Sequence, residues 1–275
     1  MKLFALLAAI GIVASVAPLT SPAQDHGHLN IGSSGTAQDD PLIFDESFIF
    51  DTNSGYVKTL NYTNGGTYAG YYQGNITLTV LAATPPHGGP VPNAPALGSW
   101  IFAQISSVQG PAGGSFAFWN TGATSPTISV PSGGASTSLW QVSESDGSPG
   151  ADPYGHFHGR RFTATKRGVY VVGFRAFDLS TNGAAGGPIH TPAAELQIYF
   201  QAGVNIKSIA ADSNSTSVVL GAPLNTTWQM EARDSLNPGT WTNVGDPITG
   251  NDQFVEVIDS QPPGTTRFYR ARRVP

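Results

Sequence analysis

Two short histidine pairs carry the chemistry this sequence offers: His26-Gly27-His28 and His156-Phe157-His158. In an extended backbone residues i and i+2 point to the same side, so each pair would place two imidazoles on one face. Neutral imidazole is a ligand for divalent zinc and copper, and two on one face make half of a transition-metal site. The chain has only 6 histidines, and these pairs hold most of them. His190, in STNGAAGGPIHTPAAE just before the strand-like LQIYFQAG (Leu196–Gly203), is expected at a sheet end, where it would complete a site begun by His156 and His158. Asp152 or Asp146 would serve as a carboxylate ligand or as the acceptor that orients an imidazole. The expected metal set is thus His156, His158, His190, His26 and His28, around zinc or copper; calcium and magnesium want oxygen. The plainer reading of the second pair is two polar residues on a solvated sheet face. His87, alone in the Pro/Gly-rich loop TPPHGGPVPNAPA (Thr84–Ala96), reads as solvated rather than ligating.

The second pair lies in the stretch Asp152–Asp178, DPYGHFHGRRFTATKRGVYVVGFRAFD, which also carries Arg160, Arg161, Lys166, Arg167 and Arg175. After it, Tyr170, Val172 and Phe174 are expected on one strand face, with Val171, Gly173 and Arg175 on the other. The elements that must position these residues are strands. With 33 Gly and 21 Pro in 275 residues, and only 11% charged residues, the composition is poor for helices and ordinary for short strands between turns. Candidate strands include LIFDESFIF (Leu42–Phe50), GTYAGYYQ (Gly66–Gln73) and NITLTVLA (Asn75–Ala82). Turn signals such as Pro111-Ala112-Gly113-Gly114 and Pro131-Ser132-Gly133-Gly134 separate the later ones. This predicts an all-β chain: a jelly-roll or β-sandwich domain at 24–203, then a smaller β-sandwich module at 204–275. Trp100, Trp119 and Trp140 are expected in the core of the first.

Residues 1–23 read as an export signal: Lys2, then the apolar run Leu3–Ala17, too short to span a membrane, then Ser21-Pro22-Ala23 before the cleavage point. Cleavage there leaves Gln24-Asp25-His26 at the new N-terminus. A free α-amine with histidine third wraps Cu(II) or Ni(II) in a square plane, although N-terminal Gln readily cyclises and loses that amine; the blander reading is a polar leader. The chain is expected to be exported, as a periplasmic, cell-surface or secreted protein of a bacterial cell envelope. No apolar tail precedes Arg272-Arg273-Val274-Pro275, so no transmembrane anchor is expected in the mature chain.

Several function classes fall away. With no cysteine there is no disulfide, no thiolate zinc site and no thiol nucleophile. A net charge of −5 gives no basic footprint for nucleic acid. Metal-dependent hydrolysis needs a general base beside the ion; H-E-x-x-H is missing, and Glu144 and Glu195 are the nearest candidates. Neither G-x-S-x-G nor a phosphate-binding G-x-x-x-x-G-K-[ST] occurs. The expectation is a protein that is not an enzyme.

HGHLN at 26–30, GPAGGSFAFW at 110–119 and SPGADPYGHFHGRRFTATKRGVYVVGF at 148–174 resemble a group of exported Verrucomicrobial proteins. They are similar as well to the choice-of-anchor M surface domain and the zinc-starvation-induced PEP-CTERM proteins. The resemblance covers most of residues 26–203. It implies binding or delivery of zinc or a similar ion, with a metal-uptake system as partner and no catalytic activity. A C-terminal sorting helix like that of those families is not expected here. The segment ending in Arg267–Arg272 resembles a small β module that closes many Verrucomicrobial secreted proteins, a spacer or adhesion unit. The expected function is therefore an exported zinc- or copper-binding protein for metal scavenging or delivery. The alternative is a glycan-binding or adhesive surface protein, with a cell-surface glycan as partner, Tyr71, Tyr72, Trp228 and Trp241 as contacts, and any metal only structural.

Overall fold

Short strands between frequent turns are what this composition dictates, and a computed structural model of the chain is built from them. It describes residues 28–45, 57–87, 93–157, 161–222, 226–236, 240–250, 254–261 and 266–274. The expected signal at 1–23, as well as His26 and His158, lies outside these. Among the described residues the one helical piece is a 3-10 turn at Ala184–Gly186. No helix among them is long and apolar enough to cross a membrane.

The first unit begins with β1 (His28–Ser33), β2 (Leu42–Asp45), β3 (Lys58–Tyr62), β4 (Tyr72–Gly74), β5 (Thr77–Val80), β6 (Ile101–Gln109) and β7 (Ser115–Trp119). It continues with β8 (Ile128–Pro131), β9 (Leu139–Gln141), β10 (Gly155–Phe157), β11 (Arg161–Ala164), β12 (Gly168–Asp178) and β13 (Leu196–Ala202). These form a 4-stranded sheet, β10-β5-β1-β2, and a curled 9-stranded sheet, β8-β7-β11-β4-β3-β13-β12-β6-β9. One buried cluster joins them: Leu29, Ile31, Leu78 and Val80 from the small sheet, with Phe116, Phe162, Tyr170, Val172, Phe174 and Phe200 from the large. The architecture is an all-β sandwich.

Strand β12 carries the alternation expected of it. Tyr170, Val172, Phe174 and Ala176 are buried, and each large side chain so buried contributes about 1.5–3 kcal/mol. A bulge between Gly173 and Phe174 shifts its register against β6. Trp119 and Trp140 are core residues, with Trp140 stacked on Phe118 at 4.3 Å between ring centres; Trp100 is half-buried. The expected strand Gly66–Gln73 is a strand only from Tyr72 onward. Gly66 and Gly70, at φ +72° and +86°, bend the chain into a turn, closed by Gly70 N–H donating to the Thr63 carbonyl at 2.9 Å. β2 ends at Asp45, and the rest of its predicted run, 46–50, lies outside the described residues.

The second unit comprises β14 (Asn205–Ala211), β15 (Thr216–Gly221), β16 (Thr227–Arg233), β17 (Thr242–Thr249), β18 (Phe254–Asp259) and β19 (Phe268–Val274). Two 3-stranded sheets, β14-β15-β18 and β17-β16-β19, enclose their own cluster of Val218, Leu220, Met230, Ala232, Val244 and Val257. Buried Gln201 ties the units: its side-chain amide donates to the Gly203 and Gly221 carbonyls, each at 2.9 Å.

Candidate metal centre on the small sheet

In the small sheet β5 is flanked by β1 and β10, which carry one histidine of each pair, His28 and His156. β1 runs parallel to β5 with His28 in register with Thr77; β10 runs antiparallel with His156 in register with Thr79. Thr77 and Thr79 lie on the face opposite the core-facing Leu78 and Val80. The backbones of β1 and β10 are two strand spacings apart, about 10 Å. On this face the Thr79 hydroxyl meets His156 Nδ1 at 2.9 Å. A hydrogen bond at the second ring nitrogen is what orients a metal-binding imidazole. The Thr77 hydroxyl is buried and has no hydrogen-bond partner among the described residues.

Strand β10 is pinned by acids that precede it. Glu144 Oε1 accepts the His156 backbone N–H at 3.0 Å, and the Glu144 N–H donates to the Tyr154 carbonyl at 2.8 Å. Asp152 accepts three backbone N–H groups, from Ala83 at 3.1 Å, Thr84 at 2.7 Å and Tyr154 at 3.0 Å, besides the Thr84 hydroxyl. Burial works against ionisation of Asp152, but these hydrogen bonds outweigh it and hold the carboxyl below its usual range. Gly155 is required by crowding: a Cβ there would lie 1.8 Å from the Val142 carbonyl oxygen.

Three rings form a row beside these acids. His87 stacks on Tyr154 at 4.3 Å with planes 4° apart, and Tyr154 lies parallel to His156 at 6.5 Å. His87, Tyr154, Glu144 and Asp152 line a shallow cleft of about 280 Å³ with Thr84 and Pro86. Burial, then the nearby Glu144 charge, raises the Tyr154 hydroxyl above its usual range. From the sequence His87 is expected to be a solvated loop residue. It is exposed, but its ring has a partner, and nothing local in TPPHGGPVPNAPA signals a stack on a residue so far along the chain.

His190 is placed elsewhere. It is buried, its Nδ1 donates to the Asp40 carbonyl at 2.9 Å, and its Nε2 accepts the Ala96 N–H at 2.9 Å. Both ring nitrogens are therefore committed to backbone. Its neighbour Thr191 bridges to Pro41 beside β2, the sheet edge opposite β10 and three spacings, about 15 Å, away. The expectation that His190 joins His156 at one ion is not met; it is a buried fastener. Asp178 fixes its backbone by accepting the N–H groups of Trp100, Ser180, Ile189 and His190 at 2.9–3.1 Å, a role the sequence reading missed. Asp146 is likewise engaged locally, accepting the Ser148 N–H and hydroxyl, which lower its carboxyl.

Of the expected ligands, then, the fold brings His156 and the backbone of His28 to one strand and sends His190 away; His26 and His158 lie outside the described residues. Among the described residues, no three His, Asp or Glu side chains converge as a ready ion cage. Compared with protein-family models, curated proteins and solved structures, the chain matches none.

Proposed function

We propose that this chain is an exported protein that binds zinc or copper through the imidazoles of its small sheet, His156 and His158 with His28 or His26, in metal scavenging or delivery at the cell envelope. One observation carries the reading: His28 and His156, one from each H-x-H motif and more than half the domain apart in sequence, lie on the two strands that flank β5. The donor chemistry fits, since imidazole sets favour these ions over oxygen-seeking ones. The Thr79 contact to His156 Nδ1 and the orphaned Thr77 hydroxyl add polar groups of the kind that surround a bound ion. Binding is reversible coordination rather than catalysis, and its affinity falls below about pH 6, because imidazole must be neutral to ligate.

Calorimetric titration with Zn(II) and with Cu(II), run beside His156→Ala/His158→Ala, tests this. The expected result is loss of an ion bound by the unmodified chain. A double variant that takes up the same number of ions at the same affinity overturns the proposal.

A further inference from the structure

The two units meet at a cleft of about 430 Å³. Tyr62 and Tyr72 reach it from the first unit, Trp228 and Arg273 from the second, and Arg167 from the turn before β12. Tyr62 and Tyr72 are register partners on β3 and β4, their rings 5.1 Å apart and inclined at 58°. Trp228 and Arg273 are register partners on β16 and β19. The Trp228 indole N–H donates to Thr226 Oγ1 at 2.7 Å, which fixes that ring. Tyr62 is 53% exposed, a large aromatic surface left in water. Gly203, at φ +77°, forms the floor; a Cβ there would stand 3.2 Å from the Tyr72 ring and 3.6 Å from Arg167. Glycine thus lets both side chains close over the linker.

The charges are as one-sided as the rings. Arg167 and Arg273 line the cleft, and no carboxylate among the described residues does. Neither guanidinium makes a hydrogen bond or ion pair with a described residue. Elsewhere in the second unit arginines are matched: Arg267 to Asp259 and Asp234, Arg270 and Arg272 to Glu231. In a chain of net charge −5, two unmatched arginines facing one cleft are a place made for an anion. A small inorganic anion would leave the three aromatic rings without a role. A nucleic acid would bring a continuous line of phosphates to a negatively charged protein.

We propose that this cleft binds an acidic saccharide, a sugar ring carrying a carboxylate within a polysaccharide. Its C–H face rests on Tyr62, Tyr72 or Trp228, amphipathic rings suited to a surface part apolar and part wet. Its carboxylate pairs with Arg167 or Arg273, the side chain whose fork matches a carboxylate in two parallel hydrogen bonds. Junctions between domains are a common place for such sites. No histidine among the described residues lines the cleft, so this binding is independent of a metal held by His156 on the small sheet.

Titration of the full chain in EDTA with short oligomers of galacturonate, glucuronate and mannuronate tests the assignment, with neutral galactose and glucose oligomers and a thymidine oligonucleotide alongside. At least one uronate oligomer is expected to bind about tenfold more tightly than its neutral counterpart, the worth of a charge-assisted pair. Arg167→Gln and Arg273→Gln should each weaken it about tenfold, and Tyr62→Ala by a similar factor, with unchanged thermal melts because none of these residues is in a core. If no uronate oligomer binds, if the arginine variants bind as the unmodified chain does, or if the oligonucleotide binds as tightly, the assignment is overturned. Loss of binding in EDTA alone would overturn it too, since the ligand would then depend on the metal.

Discussion

At the scale of single residues, the same side chain has different work depending on what its ring atoms meet. His156 is held through Nδ1 by a threonine hydroxyl on a small sheet, whereas His190 uses both nitrogens to fasten two loops, at Asp40 and Ala96. His190→Ala should therefore destabilise the fold by about 2–5 kcal/mol, from a buried cavity plus two orphaned backbone groups. It should leave the Zn(II) stoichiometry unchanged. Urea denaturation and calorimetric titration on one preparation read both; a lost ion would return His190 to the metal set. Asp152 makes a second prediction, in pH. Its folded carboxyl is held below its unfolded value of about 3.9. Its stabilisation is then complete above about pH 4 and disappears as pH falls through the folded value. Asp152→Asn keeps the shape and loses the charge, so its deficit in urea midpoint should be clear at pH 6 and shrink towards pH 3. A deficit independent of pH would mean that the charge on Asp152 adds nothing.

At the scale of elements, what was legible in the sequence was what depends on near neighbours. The alternation Tyr170-Val172-Phe174 in β12, the burial of Trp119 and Trp140 and the all-β class follow from period and composition. Turn chemistry is only partly legible: Gly66 and Gly70 fall in a run expected as strand, although two glycines bracketing three residues free the backbone for positive φ. Strand order was not legible at all. The parallel pairs β1 with β5 and β3 with β13 join segments whose local sequences say nothing of each other, and the candidate site depends on the first of these. For the same reason His156 was legible as a candidate while the job of His190 was not, its partners lying far off in the chain. Gly155 shows how tightly one element is set. Because a Cβ there would run into the Val142 carbonyl, Gly155→Ala must push β10 off the strand end beside it. The expected cost is about 1–3 kcal/mol, as for other overpacked sites. Since β10 carries His156, metal affinity should fall with it, although no ligand is changed. Denaturant melts and Zn(II) titration of this variant measure both; unchanged affinity with lowered stability would separate the ion from β10.

At the scale of the whole molecule, the two buried clusters share no residue: the first ends at Ala202, and the second, with its packed neighbours, begins at Val204. The sheet that bears the histidines draws its core contacts from the first cluster alone, whereas the Tyr62–Trp228 cleft needs a wall from each unit. Removing residues 204–275 should therefore separate the two kinds of binding proposed for the intact chain. Among the hydrogen bonds between described residues, the fragment 24–203 loses one that crosses the units, from Gln201 to the Gly221 carbonyl, a contribution of about 1 kcal/mol against the burial of an entire sandwich core. It is expected to fold, to take up Zn(II) with the stoichiometry of the full chain, and to bind uronate oligomers at least about tenfold more weakly, having lost Trp228 and Arg273. Circular dichroism with the two titrations distinguishes the outcomes. A fragment that folds but loses the ion would locate the metal at the junction or beyond it, and one that keeps full saccharide affinity would take the second unit out of the cleft. A fragment that does not fold would mean that the second unit acts as a structural brace for the sandwich, and that the separate cores are not separately stable.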